Sequence, residues 1–211
     1  MKTYYISNKI KYTGEQLKPL YAYMNHGILG DSIIAWQGGC DIPWHHMVDG
    51  EDLRAQSPIA GDHMLHFLVE VFRVDLFSAV SLQRLLAAIV KDLLLEKVVS
   101  TQDAAGSSVA QKFRRSGDDI YWDNKKLSIS IASQSVTSCQ IHFALNVSNE
   151  GTPVPTCSLS DFLVHSRAVS LGSSSEQGVA IDVCEFAHNV MGKFCEEFLS
   201  ILEATQKVRA L

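Results

Sequence analysis

Lys126, His142 and Asn146 stand in two neighbouring runs of alternating residues, Lys126-Leu-Ser-Ile-Ser-Ile-Ala132 and Gln140-Ile-His-Phe-Ala-Leu-Asn-Val147. Such alternation predicts β-strands, because successive side chains point to opposite faces. On this reading Leu127, Ile129 and Ile131 form the apolar core face of the first strand, and Lys126, Ser128, Ser130 and Ala132 share the other. In the second strand Ile141, Phe143, Leu145 and Val147 face the core, and His142, Ala144 and Asn146 point away. If the strands pair, a shallow floor of small residues is ringed by an ammonium, an imidazole and an amide. That floor leaves room for a ligand bound by Ser128, Ser130, His142 and Asn146, with Lys126 as the charged group. The same residues also fit the solvated outer face of a half-buried antiparallel sheet.

A second set of residues suits metal chemistry. His63 and His66 are three apart, Glu70 follows, and His45, His46, Asp49, Glu51 and Asp52 come just before. Neutral imidazoles and carboxylates are ligands for zinc or another divalent ion, and this set defines a metal-dependent hydrolase as one reading. No His-Glu-x-x-His spacing accompanies it. Asp49, Glu51 and Asp52 equally fit a cationic ligand group, Mg²⁺ beside a nucleotide, or a solvated acidic turn.

These residues need a scaffold. Thr3 to Tyr12 predicts a short strand, and Thr13 with Gln16 has capping-box spacing for a helix toward Asn25, against which Pro19 counts. Ser32 to Trp36 predicts a buried strand ending in a turn at Gln37 to Cys40, and Asp41 to Asp62 an irregular loop. A helix is expected from His63 to about Phe72, with Met64, Phe67, Leu68 and Val71 on one face, and a longer one from Ser81 to Val98. Ser100 to Ser108 and Ser170 to Gly178 read as loops. Asp123 and Asn124 supply a hairpin turn between Ile120-Tyr121-Trp122 and Leu127-Ser128-Ile129. Ile181 to Val208 predicts a final amphipathic helix. Strands in the middle with helices before and after define an α+β or mixed-sheet fold, expected to be one domain over residues 1–211.

Composition narrows the function classes. With 211 residues, 46% hydrophobic and 19% charged, the chain can bury a sizeable core. Its 18 Lys and Arg against 23 Asp and Glu leave a net charge of -5, which argues against a sequence-independent grip on nucleic acid. Five cysteines without a Cys-x-x-Cys pair indicate a reducing, cytoplasmic setting. No secretory leader or membrane-length apolar run is present in this sequence, so a cytoplasmic protein is expected.

The run Lys125-Lys126-Leu-Ser-Ile-Ser-Ile-Ala, followed by Ile141-His142-Phe-Ala144-Leu-Asn146-Val, resembles the heart of the biotin and lipoate protein ligase superfamily and its octanoyl-transferase branch. Over nearly the whole length the chain also resembles the domain-of-unknown-function family numbered 366, through Gly30-Asp31-Ser32-Ile33, Met47 to Asp52 and Met64-Leu65-His66-Phe67. The resemblance implies an α+β fold, a mixed β-sheet flanked by helices with a biotin/lipoate ligase-like, class II synthetase-like core. It puts Lys126 where the superfamily's essential lysine stabilises the transition state, and Asn146 where an asparagine organises phosphate and metal. Cys157, in Pro155-Thr156-Cys157-Ser158, falls where the transferase branch has its nucleophile, with a serine in place of the following glycine. Gly38 and Gly39 fall where the ligases grip acyl tail and nucleotide, although no arginine accompanies them. ATP and Mg²⁺ would be the cofactors. The implied partners are a small carboxylate or acyl thioester and an acyl carrier protein, and a homo-oligomer is allowed. Three readings stand together: acyl transferase or ligase, non-catalytic binder of a small molecule or nucleotide, and metal-dependent hydrolase.

Overall fold

The computed structural model describes residues 1–99, 112–165 and 178–209. In chain order the elements are β1 (Lys2–Ile6), α1 (Tyr21–His26), β2 (Ser32–Asp41), α2 (Gly50–Ala55), β3 (Ala60–Phe72) and α3 (Leu76–Val99). There follow β4 (Phe113–Ser116), β5 (Asp119–Trp122), β6 (Lys125–Lys126), β7 (Ser128–Gln134), β8 (Ser138–Asn146), β9 (Leu163–His165), β10 (Gly178–Ala180) and α4 (Val183–Gln206). The expected loop at 100–108, and all of 170–178 but its last residue, lie outside the described residues.

One mixed sheet organises the fold in the order β1-β2-β3-β8-β7. β1 runs parallel to β2, and the other pairings are antiparallel. A main core of Leu65, Phe67, Val69, Ile141, Phe143 and Leu145 is covered by Leu86, Val90 and Leu94 of α3 and by Phe186, Val190 and Phe194 of α4. Asp182 caps α4, its carboxylate accepting from the amides of Cys184 and Glu185. A second cluster on the opposite face joins Ile34, Trp36, Met64, Leu68 and Ala144 to Tyr12 and Ile6, with Ile10, Leu17, Ile42 and Ile59 packed against it. The fold is therefore α+β, a mixed sheet flanked by helices. Among the described residues no helix is long and apolar enough to cross a membrane.

Helix α2, capped by Asp49, lies within the stretch 41–62 expected to be irregular, and four further elements differ from the sequence-based expectation. Residues 63–72 form strand β3 rather than a helix, because Met64, Leu65, Phe67, Leu68, Val69 and Val71 are buried on both faces of a central strand. Such a strand shows a nearly continuous apolar run without alternation. β2 does not turn at Gln37 but continues to Asp41. Gln16 does accept from the Thr13 amide, yet helix α1 starts only at Tyr21, after Pro19 and a left-handed Leu20. Glu70 holds that Leu20, accepting from its amide at 2.8 Å and from the Ser138 hydroxyl at 2.6 Å.

The fourth difference concerns the faces of β7. Its partners in β8 are Leu145 for Ser128, Ala144 for Ile129, Phe143 for Ser130 and His142 for Ile131. Directly paired residues share a face. Ser128, Ser130 and Ala132 therefore point to the main core, and Ile129 and Ile131 lie beside Ala144 and His142. Gln83 of α3 donates to Ser130 at 2.6 Å, and the Ile120 amide donates to Ser128 at 2.8 Å. The expected floor of small residues is in fact lined by two isoleucines.

Candidate functional site

A cavity of about 550 Å³ opens on the sheet face away from α3 and α4 and reaches past the edge of β7. Its inner walls are apolar: Leu17, Ile42, Met47, Ile59, Met64, Ile129 and Ile131. Lys126, His142 and Asn146 all line it. The first stands near Asp49, Glu51, Asp52, Asp118 and Asp119, so that the lining carries five carboxylates and one ammonium.

Lys126 is positioned by backbone hydrogen bonds. β6 pairs with β5 across the Asp123-Asn124 turn, in which Asp123 has a φ of 52°. The Lys126 carbonyl accepts from the Cys157 amide at 3.1 Å and from the Asn146 side chain at 3.5 Å, and that side chain also donates to the Cys157 carbonyl at 3.1 Å. Asn146 thus ties β8 to the strand carrying the ammonium. The Lys126 Nζ lies 2.9 Å from an Asp119 carboxylate oxygen. Burial pushes the ammonium's pKa down, but the hydrogen bond and charge of Asp119, with Tyr121 and Asp118 nearby, outweigh it and the net direction is up. Burial raises the carboxyl of Asp118, and burial with Asp49 raises that of Asp52. Lys126 is a permanent cation in an acidic surround.

The histidines form a separate buried unit. His66 lies 3.2 Å by Nε2 from the Gly38 carbonyl and 3.1 Å by Nδ1 from Nε2 of His142. The Tyr12 ring stacks on His142 with centroids 3.6 Å apart and planes within 6°. Burial lowers His66 to about 4 and His142 well below the ordinary range, so both imidazoles are neutral at pH 7.

Other expected site residues are placed elsewhere. Cys157 is buried in the main core, outside the cavity lining, its thiol donating to the Lys125 carbonyl at 3.4 Å. Burial pushes that thiol up to about 11, which suits an inert side chain rather than a nucleophile. Gly38 and Gly39 lie in β2 and do not line the cavity. A Cβ at Gly38 would fall 2.0 Å from the Ile10 carbonyl oxygen, so this glycine allows close approach of the chain's own segment. Ser128 and Ser130 lie along the cavity's rim at the β7 edge, their hydroxyls engaged as described. The metal set is divided. His63 and His66, three apart on a strand, face opposite sides, with His63 at 3.0 Å from Gln37. Among the described residues no three His, Cys, Asp or Glu side chains are placed to hold a metal ion.

The sequence reading missed Asp118, Asp119, Tyr12 and the pairing of His66 with His142. Asp119 was within reach, because the Asp123-Asn124 turn sets Tyr121 opposite Lys126 and places Asp119 two residues along the same face.

Two solved structures share the architecture at low identity, which shows the fold alone. They are the biotin protein ligase from Leishmania major in complex with biotin (TM-score 0.57, 11% identity, covering 91% of this chain and 72% of that one) and the biotin protein ligase from Aquifex aeolicus (TM-score 0.57, 13% identity, 96% and 72%). The model of the family described as a domain of unknown function, DUF366, matches residues 1–209, and the chain belongs to that family. A protein of unknown function from Pyrococcus horikoshi is 32% identical with a TM-score of 0.76, over 99% of each chain. An uncharacterized protein of Methanocaldococcus jannaschii is 31% identical over 156 residues, which are 72% of this chain and 65% of that protein.

Proposed function

We propose that the cavity binds a small acyl compound, its apolar body against Ile129, Ile131, Met64 and Leu17 and its carbonyl at Lys126, and that the protein transfers the acyl group from a thioester to a thiol or amine acceptor. The observation that carries this reading is the protonated Lys126 at the edge of an apolar hollow. The ring of carboxylates favours a neutral head group over a free carboxylate, since Asp119 already neutralises the ammonium and Asp52 and Asp118 add like charge. A thioester carbonyl accepts the ammonium's hydrogen bond without bringing an anion into that ring. As the acceptor adds to the carbonyl carbon, charge develops on the oxygen and Lys126 stabilises it. Collapse breaks the carbon–sulfur bond, and the acceptor's proton leaves with the thiol. Cys157 takes no part. The same surround disfavours ATP unless a divalent cation accompanies it.

The experiment combines binding and thiol release with S-octanoyl-N-acetylcysteamine. Binding should raise the melting temperature, sodium octanoate should bind at least about tenfold more weakly, and Lys126→Met should lose about tenfold in affinity or more. Octanoate binding as tightly as the thioester, or a variant binding like wild type, would refute the reading. A binder without turnover is the second reading, favoured by the sealed thiol of Cys157 and by Gly38 and Gly39 lying in a strand.

A further inference from the structure

The two buried histidines make an ordered relay whose end faces the cavity. Nε2 of His66 meets a backbone carbonyl, Gly38 O, at 3.2 Å. A carbonyl can only accept, so that nitrogen carries the proton. His66 is neutral, which leaves its Nδ1 as a lone pair, and the group 3.1 Å away, Nε2 of His142, must therefore donate. His142 is neutral in turn, and its own Nδ1 is left as an acceptor. No described residue donates to it. The His142 ring is 98% buried and held in plane by Tyr12, and it lines the cavity where His66 behind it does not. Nδ1 of His142 is not among the sealed, unpartnered side-chain atoms, so it opens to the cavity, and a ligand that displaces water there without offering a donor leaves the lone pair unpaired.

We infer that the natural ligand carries an N–H or O–H donor on its apolar body, read by Nδ1 of His142. This deepens the reading above, since it rests on the cavity taking an apolar body, and it excludes an unadorned hydrocarbon chain as the preferred ligand. The Gly38 carbonyl sets the polarity of the relay: a ligand group that only accepts would meet a lone pair. Sites built to hydrogen-bond a ligand donor discriminate strongly against the analogue lacking it.

The test uses two isomeric probes without an acyl head, 1-heptanol, which donates, and hexyl methyl ether, which only accepts. Long-range ¹H–¹⁵N spectra of the full chain at pH 7 should show Nδ1 of His142 unprotonated. Heptanol should shift that nitrogen and bind about tenfold more tightly than the ether, and His142→Phe, which keeps the stack on Tyr12, should erase the preference. A proton on Nδ1 in the wild-type protein, or equal affinity for the two isomers, would overturn the inference whether or not the variant folds. Because neither probe has a carbonyl, this result is independent of the thioester experiment at Lys126, and either reading can fail alone.

Discussion

At the scale of single residues, the proposed chemistry rests on Lys126, whose charge partner is fixed, and leaves out Cys157, whose thiol is shielded. Cys157→Ser should leave thioester binding and thiol release within about twofold of wild type while lowering stability by about 1 kcal/mol, since a buried hydroxyl desolvates less readily than a thiol. Alkylation of the native protein at pH 8, followed by mass spectrometry, should modify the half-buried Cys184 and Cys195 before Cys157, which is buried as Cys40 and Cys139 are. Loss of turnover in the serine variant would return the thiol to the mechanism. Alternation groups His142 and Asn146 on one face of β8, and both line the cavity, whereas Lys126 reaches it from β6 although the face assigned to it with Ser128 and Ser130 turns to the core. Alternation does not say which face is inside. In β7 that was decided by a polar residue of α3: Gln83 meets Ser130 and leaves the isoleucines for the cavity. Isoleucine looks inward in any isolated strand, so only the covering helix could have corrected the reading.

At the scale of elements, β3 is the instructive case. His63-Met64-Leu65-His66-Phe67-Leu68-Val69 fits a helical stripe and an extended strand buried on both sides, and its neighbours β2 and β8 settle the matter. The long helices α3 and α4 were legible since each has one covered side. The turn expected at Gln37 to Cys40 is continuous strand, in which Gly38 lets the segment at Ile10 lie against β2. The Trp36 indole donates to the Ile10 carbonyl at 3.0 Å, and the amides of Ile10 and Tyr12 donate to β2 carbonyls. Gly38→Ala should push this segment away and cost about 1–3 kcal/mol in chemical denaturation, because the obstructing atom is backbone and cannot rotate aside. A variant as stable as the wild type would contradict that packing. Since the segment carries Tyr12, thioester and heptanol affinities should fall together with stability.

At the scale of the whole molecule, the buried imidazoles link folding to acidity. Both have pKa values lowered in the folded chain, His66 to about 4, and the groups around them are Tyr12, Trp36, His63 and Cys40, none of which supplies a counter-charge at neutral pH. An unfolded histidine titrates near pH 6.5, so below that value the unfolded chain takes up protons that the folded chain refuses. The stability contribution is complete above pH 6.5 and is lost as pH falls toward about 4, with a slope approaching about 2.7 kcal/mol per pH unit for two groups. Urea midpoints measured between pH 7 and pH 5 should fall accordingly, and the double substitution His66→Gln and His142→Gln should flatten the trend. An unchanged slope would place the titration elsewhere among the histidines.

The cavity's walls come from distant stretches of chain: Tyr12 and Leu17 near the beginning, Ile42 to Ile59 before β3, and Asp118 to Asn146 well beyond the middle. No contiguous fragment encloses the hollow. Its occupant can therefore report only on the completed tertiary structure, and saturation should slow amide exchange in β3 and β8 along with the loops at the rim, a global protection that a ligand gripped by one hairpin would not confer.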